Sequence, residues 1–138
     1  MDKFDLAETT TDPDILDELS TDKDSNVRFW VARNRNITPE TLDYLSKDED
    51  SEVRYGVAKN TNISPETLNY LSKDQNTYVR WRVAQNPNTS PETLKQMSIV
   101  EDDDSVKYYI KNNPNCSEET WKYLSALEIL ETLPKVST

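Results

Sequence analysis

The chain has 138 residues, 34% of them hydrophobic and 30% charged, and a formal charge of -10 at pH 7. That supports one modest core, and with no apolar run of bilayer length and a start (Met1 to Leu6) lacking the basic and apolar parts of a signal peptide, a soluble cytoplasmic protein is expected. No histidine, a single glycine (Gly56) and a single cysteine (Cys116) exclude the commonest general base, a phosphate-cradling glycine loop, and a disulfide or cysteine-ligated metal framework.

In chain order, Phe4 and Leu6 fall in a leading segment, residues 1–12, read as an N-terminal cap. Pro13, Leu16 and Leu19 then begin a degenerate first unit, and the segment Val-Arg-Phe-Trp-Val-Ala-Arg-Asn follows at Val27 to Asn34. Its counterparts are Val-Arg-Tyr-Gly-Val-Ala-Lys-Asn (Val53 to Asn60), Val-Arg-Trp-Arg-Val-Ala-Gln-Asn (Val79 to Asn86) and Val-Lys-Tyr-Tyr-Ile-Lys-Asn-Asn (Val106 to Asn113), spaced by 26, 26 and 27 residues. A fixed period of this length marks units that bury their apolar side only by stacking on one another.

Within each unit Thr38, Ser64 or Ser90 stands just before Pro39, Pro65 or Pro91, the pattern of an N-cap followed by proline at the first helical position. A short first helix is expected there, with Leu42 and Leu45, Leu68 and Leu71, or Leu94 and Met97 forming its apolar edge. Asp24, Asp50, Asn76 and Asp103 are natural caps for a second helix, whose buried face is set by valines four apart: Val27 and Val31, Val53 and Val57, Val79 and Val83, with Val106 and Ile110 in the last copy. Asn34, Asn60, Asn86 and the pair Asn112-Asn113 close the second helices and suit a left-handed terminus. The last unit has Glu118 in place of proline, and its helix is expected to continue through Trp121, Leu124, Leu127, Leu130 and Leu133 to Pro134, an apolar face long enough to close the stack. The organisation is a single domain, 1–138: cap 1–12, repeats 13–117, capping helix and tail 118–138.

The string Val-Ala-Gln-Asn-Pro-Asn-Thr-Ser-Pro-Glu-Thr-Leu (Val83 to Leu94), its period and the Asp-x-x-Val-Arg element resemble the leucine-rich repeat variant family and, more loosely, HEAT-like repeats, over residues 12 to 124. The resemblance implies an all-α fold, a right-handed α-α superhelix of about four 26-residue two-helix repeats with terminal caps. In that family the repeats accompany a cysteine cluster holding an iron-sulfur centre. Cys116 stands alone here, so no cluster is carried over, and the family contributes no catalytic residues.

In a stacked array, one position repeated through the units becomes a column, and three columns stand out. The aromatic column is Phe29, Tyr55, Trp81 and Tyr108, about 200° around the second helix from the first buried valine, which points it away from the core. Either its rings pack on one another or they form an exposed contact stripe. Arg28, Arg54, Arg80 and Lys107 form a basic column that either binds acidic groups of a ligand or ties repeats together through ion pairs with Asp24, Asp50 and their neighbours. Of these two, the ion-pair reading is preferred. Arg33 and Lys59 begin a third column that fades into Gln85 and Asn112. Between them Trp30, Gly56, Arg82 and Tyr109 vary in size and charge, as a surface adapted to one partner does. The candidate partner-binding set is therefore Phe29, Trp30, Arg33, Arg54, Tyr55, Lys59, Arg80, Trp81, Arg82, Lys107, Tyr108 and Tyr109.

The four repeated segments contain eight basic residues and no acid, while the rest of the chain is strongly acidic, notably at Asp12, Asp14, Asp17 and Glu18, at Asp43 and Asp48 to Asp50, and at Glu101 to Asp104. Three readings follow. The leading one is a monomeric, non-enzymatic module that binds a protein through the second helices; the same stripe binding nucleic acid is the alternative, and an acidic inhibitor imitating nucleic acid toward a basic protein is the third. No catalytic, metal or cofactor site and no membrane contact are expected. The tripeptides starting at Asn36, Asn62, Asn88 and Asn115 fit a glycosylation pattern but read as turns and caps of the units, and Tyr44, Tyr70 and Tyr123 as a ridge on the first helices.

Overall fold

The computed structural model describes residues 1–135, which are helical with no strand. In chain order the helices are α1 (Lys3–Thr9), α2 (Pro13–Leu19), α3 (Ser25–Arg33), α4 (Pro39–Leu45), α5 (Ser51–Lys59), α6 (Pro65–Leu71), α7 (Thr77–Gln85), α8 (Pro91–Val100), α9 (Asp104–Asn112) and α10 (Glu118–Thr132). The pairs α2–α3, α4–α5, α6–α7 and α8–α9 are the four units of a helical repeat solenoid. Their second helices stack directly: α1 on α3, α3 on α5, α5 on α7 and α7 on α9. Among the described residues no helix is long and apolar enough to cross a membrane.

Most of these helices have seven to nine residues, too few to persist alone in water, so they exist because caps and neighbours hold them. Thr38, Ser64 and Ser90 each accept the backbone N–H of Thr41, Thr67 and Thr93, with proline behind them, and Ser117 does the same for Thr120 without a proline. Asp24, Asp50, Asn76 and Asp103 cap the second helices as their positions predict. Each such cap contributes about 1 kcal/mol. The expected valine and leucine pairs are buried in one continuous core, each side chain contributing about 1.5–3 kcal/mol. At Gly56 the stack closes in, for a Cβ there would stand 3.2 Å from that of Ala32 on α3.

Residues 1–12 contain a second helix of their own. α1 presents Ala7 to the core where α3 presents Ala32, and Lys3 occupies the place of Arg28. The stack thus begins with a lone second helix and finishes with a lone first helix, α10.

The asparagines at the helix ends depart from expectation. Asn34, Asn60, Asn86 and Asn113 are extended, with φ between -73° and -69°, and no described residue has a positive φ. Their role is in the side chain. The Asn60 amide donates to the carbonyls of Ala32 (2.8 Å) and Asn34 (3.1 Å) in the preceding unit, while its own Oδ1 accepts from the backbone of Asn62 (2.8 Å). Asn86 repeats this on Ala58 and Asn60, Asn113 repeats it on Ala84 and Asn86, and Asn34 reaches the carbonyls of Ala7, Glu8 and Thr10. The carbonyls left over at one helix end are thereby satisfied by the next unit. A second line of amides, Asn62, Asn88 and Asn115, bonds the preceding turn in the same way.

The C-terminal closure also differs from its expectation. Leu124 is buried and Leu127 half-buried, but Trp121, Leu130 and Leu133 are exposed. α10 instead covers α9 through ion pairs, Glu128 with Lys111 (3.2 Å) and Glu131 with Lys107 (3.9 Å). A straight helix cannot keep its whole apolar stripe on two short neighbours, so only its first half meets the core. Residues 136–138 of the expected tail lie outside the described residues.

Candidate functional site

Arg28, Arg54 and Arg80 are tied between units. Arg28 forms a two-pronged pair with Asp48 (2.7 and 3.1 Å), Arg54 with Asp74 (2.8 and 3.2 Å) and Arg80 with Glu101 (2.9 and 3.1 Å). A third guanidinium nitrogen donates to a backbone carbonyl, that of Asp22, Asp48 or Asp74. The hydrogen bond that each guanidinium donates to its partner carboxylate pushes the guanidinium pKa further up, so these cations stay charged. The acceptors are not the helix caps Asp24 and Asp50 but the acids two residues before the caps, and Lys3 with Asp22 (2.8 Å) forms a similar contact at the start of the stack. Lys107 stands at the end of the line, within 4.0 Å of Asp104 and 3.9 Å of Glu131. Arg54 and Arg80 thus belong to the inter-unit ladder.

The aromatic column does not point clear of the core. Phe29, Tyr55 and Trp81 are half-buried and pack against it, as do Trp30 and Tyr109, whereas Tyr108 is 58% exposed. The angle around a single helix is as expected; the neighbouring second helix covers that direction, so the column falls in the seam between helices. Each seam is different. At α3, Phe29 and Trp30 meet edge to face (5.6 Å), with the Arg33 guanidinium 5.5 and 5.3 Å from their ring centres. Between α5 and α7, Arg82 lies 5.0 Å from the Tyr55 ring and 5.1 Å from the Trp81 ring, and donates to the Tyr55 hydroxyl through Nε (2.8 Å) and Nη2 (2.6 Å). Between α7 and α9, Trp81 meets Tyr109 edge to face (5.5 Å), and Tyr109 meets Tyr108 (5.1 Å).

Two grooves open on Trp81. One, of about 360 Å³, is lined by Ser51, Glu52, Tyr55, Asn76, Tyr78 and Trp81. The other, of about 450 Å³, is lined by Thr77, Tyr78, Trp81, Asp103, Ser105 and Tyr109. Tyr78 stands between them at 67% exposure, its ring 6.3 Å from Trp81. The Trp81 indole N–H is buried with no acceptor among the described residues. Tyr78 escaped the column reading because its counterparts, Asn26, Glu52 and Ser105, are polar; an aromatic breaking a polar column was the available signal.

The remaining basic residues, Arg33 and Lys59, are exposed at the ends of α3 and α5, where with Arg35 and Thr61 they border a cleft of about 170 Å³ at Gly56. Much of the acidic surface has structural work. Asp12 and Asp103 are caps, Asp48 and Glu101 hold the ladder, and Asp17 and Asp43 accept hydrogen bonds from the hydroxyls of Thr41 and Thr67 (3.1 Å each). Tyr44, Tyr70 and Tyr123 are exposed along the first helices, as a ridge requires.

No family model matches the chain, and the search of curated proteins returns no match.

Proposed function

We propose that the protein is a non-enzymatic repeat scaffold, a cytoplasmic monomer, that binds a protein partner through the surface of its second helices. The observation that carries this reading is the Tyr78–Trp81–Tyr109 seam, where aromatic surface is open on two sides of one exposed ring. Aromatic anchors flanked by polar rims are what dominate protein interfaces. Leucine-rich repeat variant membership is the family reading that accompanies it, on the strength of the period and the Asp-x-x-Val-Arg element.

The same surface serves nucleic acid less well. Three of its cations, Arg28, Arg54 and Arg80, are already neutralised within the stack, which leaves Arg33, Arg35, Lys59 and the ring-held Arg82 on a chain of charge -10. The test is anisotropy of labelled DNA and RNA at two salt concentrations, beside partner capture by the wild type and by Tyr108→Ala, an exposed substitution that leaves the core alone. The reading expects capture that Tyr108→Ala weakens and no salt-sensitive nucleic-acid binding. Tight, salt-sensitive nucleic-acid binding lost in Arg33→Glu, Lys59→Glu would replace it.

A further inference from the structure

The seams of the second helices differ in whether a cation of the chain lies on their rings. Arg33 lies on Phe29 and Trp30, and Arg82 lies on Tyr55 and Trp81. In the α7–α9 seam, Trp81 and Tyr109 are set edge to face beside the open groove, and among the described residues no Lys or Arg lies over Tyr78, Tyr108 or Tyr109. The groove has a carboxylate in its wall. Asp103 uses Oδ1 to cap α9 at Val106 N–H (3.0 Å), and it makes no ion pair among the described residues. The smaller groove on the other side of Tyr78 also carries an acid unpaired among the described residues, Glu52, but its rings Tyr55 and Trp81 already hold Arg82.

We propose that the groove between Tyr78, Trp81 and Tyr109 receives an arginine side chain from a basic segment of the partner protein, held between the rings and the Asp103 carboxylate. This rests on the protein-binding reading and names the partner's chemistry. Aromatic faces attract a cation and a carboxylate completes the pair; a planar guanidinium can do both at once, and Arg82 already lies on two rings one seam earlier. Asp103 in the wall, its chain neighbours Asp102 and Asp104, and the overall charge of -10 draw a basic segment in and disfavour an acidic one.

The probe is a fluorescein-labelled peptide alternating arginine with Gly and Ser, titrated into the full chain by anisotropy, with the Trp81 indole N–H resonance followed in parallel. Two controls are the same peptide with glutamine at the arginine positions and a labelled DNA strand. Asp103→Asn removes the charge but keeps a capping side chain, since Asn76 caps α7 at the equivalent position. The expected result is binding that shifts the Trp81 resonance and weakens about tenfold in Asp103→Asn, the factor that about 1.4 kcal/mol represents, while Asp14→Asn at the far end binds like the wild type. Trp81→Leu, checked for helicity, should weaken it at least as much. Equal affinity in Asp103→Asn and wild type, equal loss in Asp14→Asn, or no binding overturns the proposal. A glutamine peptide that binds at Trp81 as well as the arginine one overturns the cation and leaves a protein-binding surface standing. Binding of the DNA strand with no peptide binding overturns both.

Discussion

The Asn86 side-chain amide lies 2.8 Å from the Ala58 carbonyl of the preceding unit, buried, and 3.1 Å from that of Asn60. The same side chain accepts the backbone N–H of Asn88 (2.9 Å). Asn86→Ala therefore leaves two carbonyls and one N–H without partners and should destabilise the chain by about 3 kcal/mol, at roughly 1 kcal/mol for each group. Asn86→Asp should cost more, because a carboxylate would face two carbonyl oxygens. Urea denaturation of the two variants measures this; a loss near zero in both would remove the amide line from the account of stacking.

Arg54 and Asp74 form a largely buried, two-pronged pair across a unit boundary. Removing only the arginine leaves Asp74 without its cation, so Arg54→Ala should cost about 2 kcal/mol, in the range of charged hydrogen bonds. A double-mutant cycle with Asp74→Ala isolates the coupling. Charge reversal at Arg54 or Arg80 should consequently destabilise the stack as well as alter its surface, and Arg35 and Lys59, exposed and without ring contacts, are the positions at which surface charge can be tested by itself.

At the start of the stack, the hydrogen bond from Lys3 holds the Asp22 carboxyl below its ordinary pKa, and the same bond raises Lys3 above the ordinary lysine value. The lowered carboxyl contributes stability above its unfolded pKa and loses it as pH falls through the folded one; the raised amine contributes below its unfolded pKa and loses it as pH rises through the folded one. Docking of α1 should accordingly be firm through the neutral range and loosen at both extremes. Hydrogen exchange of the α1 amides against pH measures it, and Lys3→Met should abolish the alkaline arm and weaken the acid one while leaving the rest of the chain protected.

Cys116 packs against the core, and burial pushes its thiol pKa up. Less thiolate is present at neutral pH than for a free cysteine, so a disulfide reagent should label it at least about tenfold more slowly than glutathione. Labelling as fast as glutathione would show that the C-terminal end opens readily.

Much of the fold was legible because its determinants are local. A Ser-Pro or Thr-Pro pair caps a helix wherever it lies, and Val79 with Val83 shares a face whatever packs on it. The repeat period, helix positions, caps and valine–leucine core follow from the sequence alone. What the neighbouring helix covers does not, because the angle around one helix gives a direction and no occupant. Only the tertiary structure decided that Phe29, Tyr55 and Trp81 fall in seams, that Arg54 reaches Asp74 in the next unit, that Asn60 serves the carbonyls of the unit before it, and that Tyr78 stands between two grooves. Each of these depends on the distance between stacked units, a quantity set by side chains some 20 to 30 residues apart in the chain and absent from any single repeat.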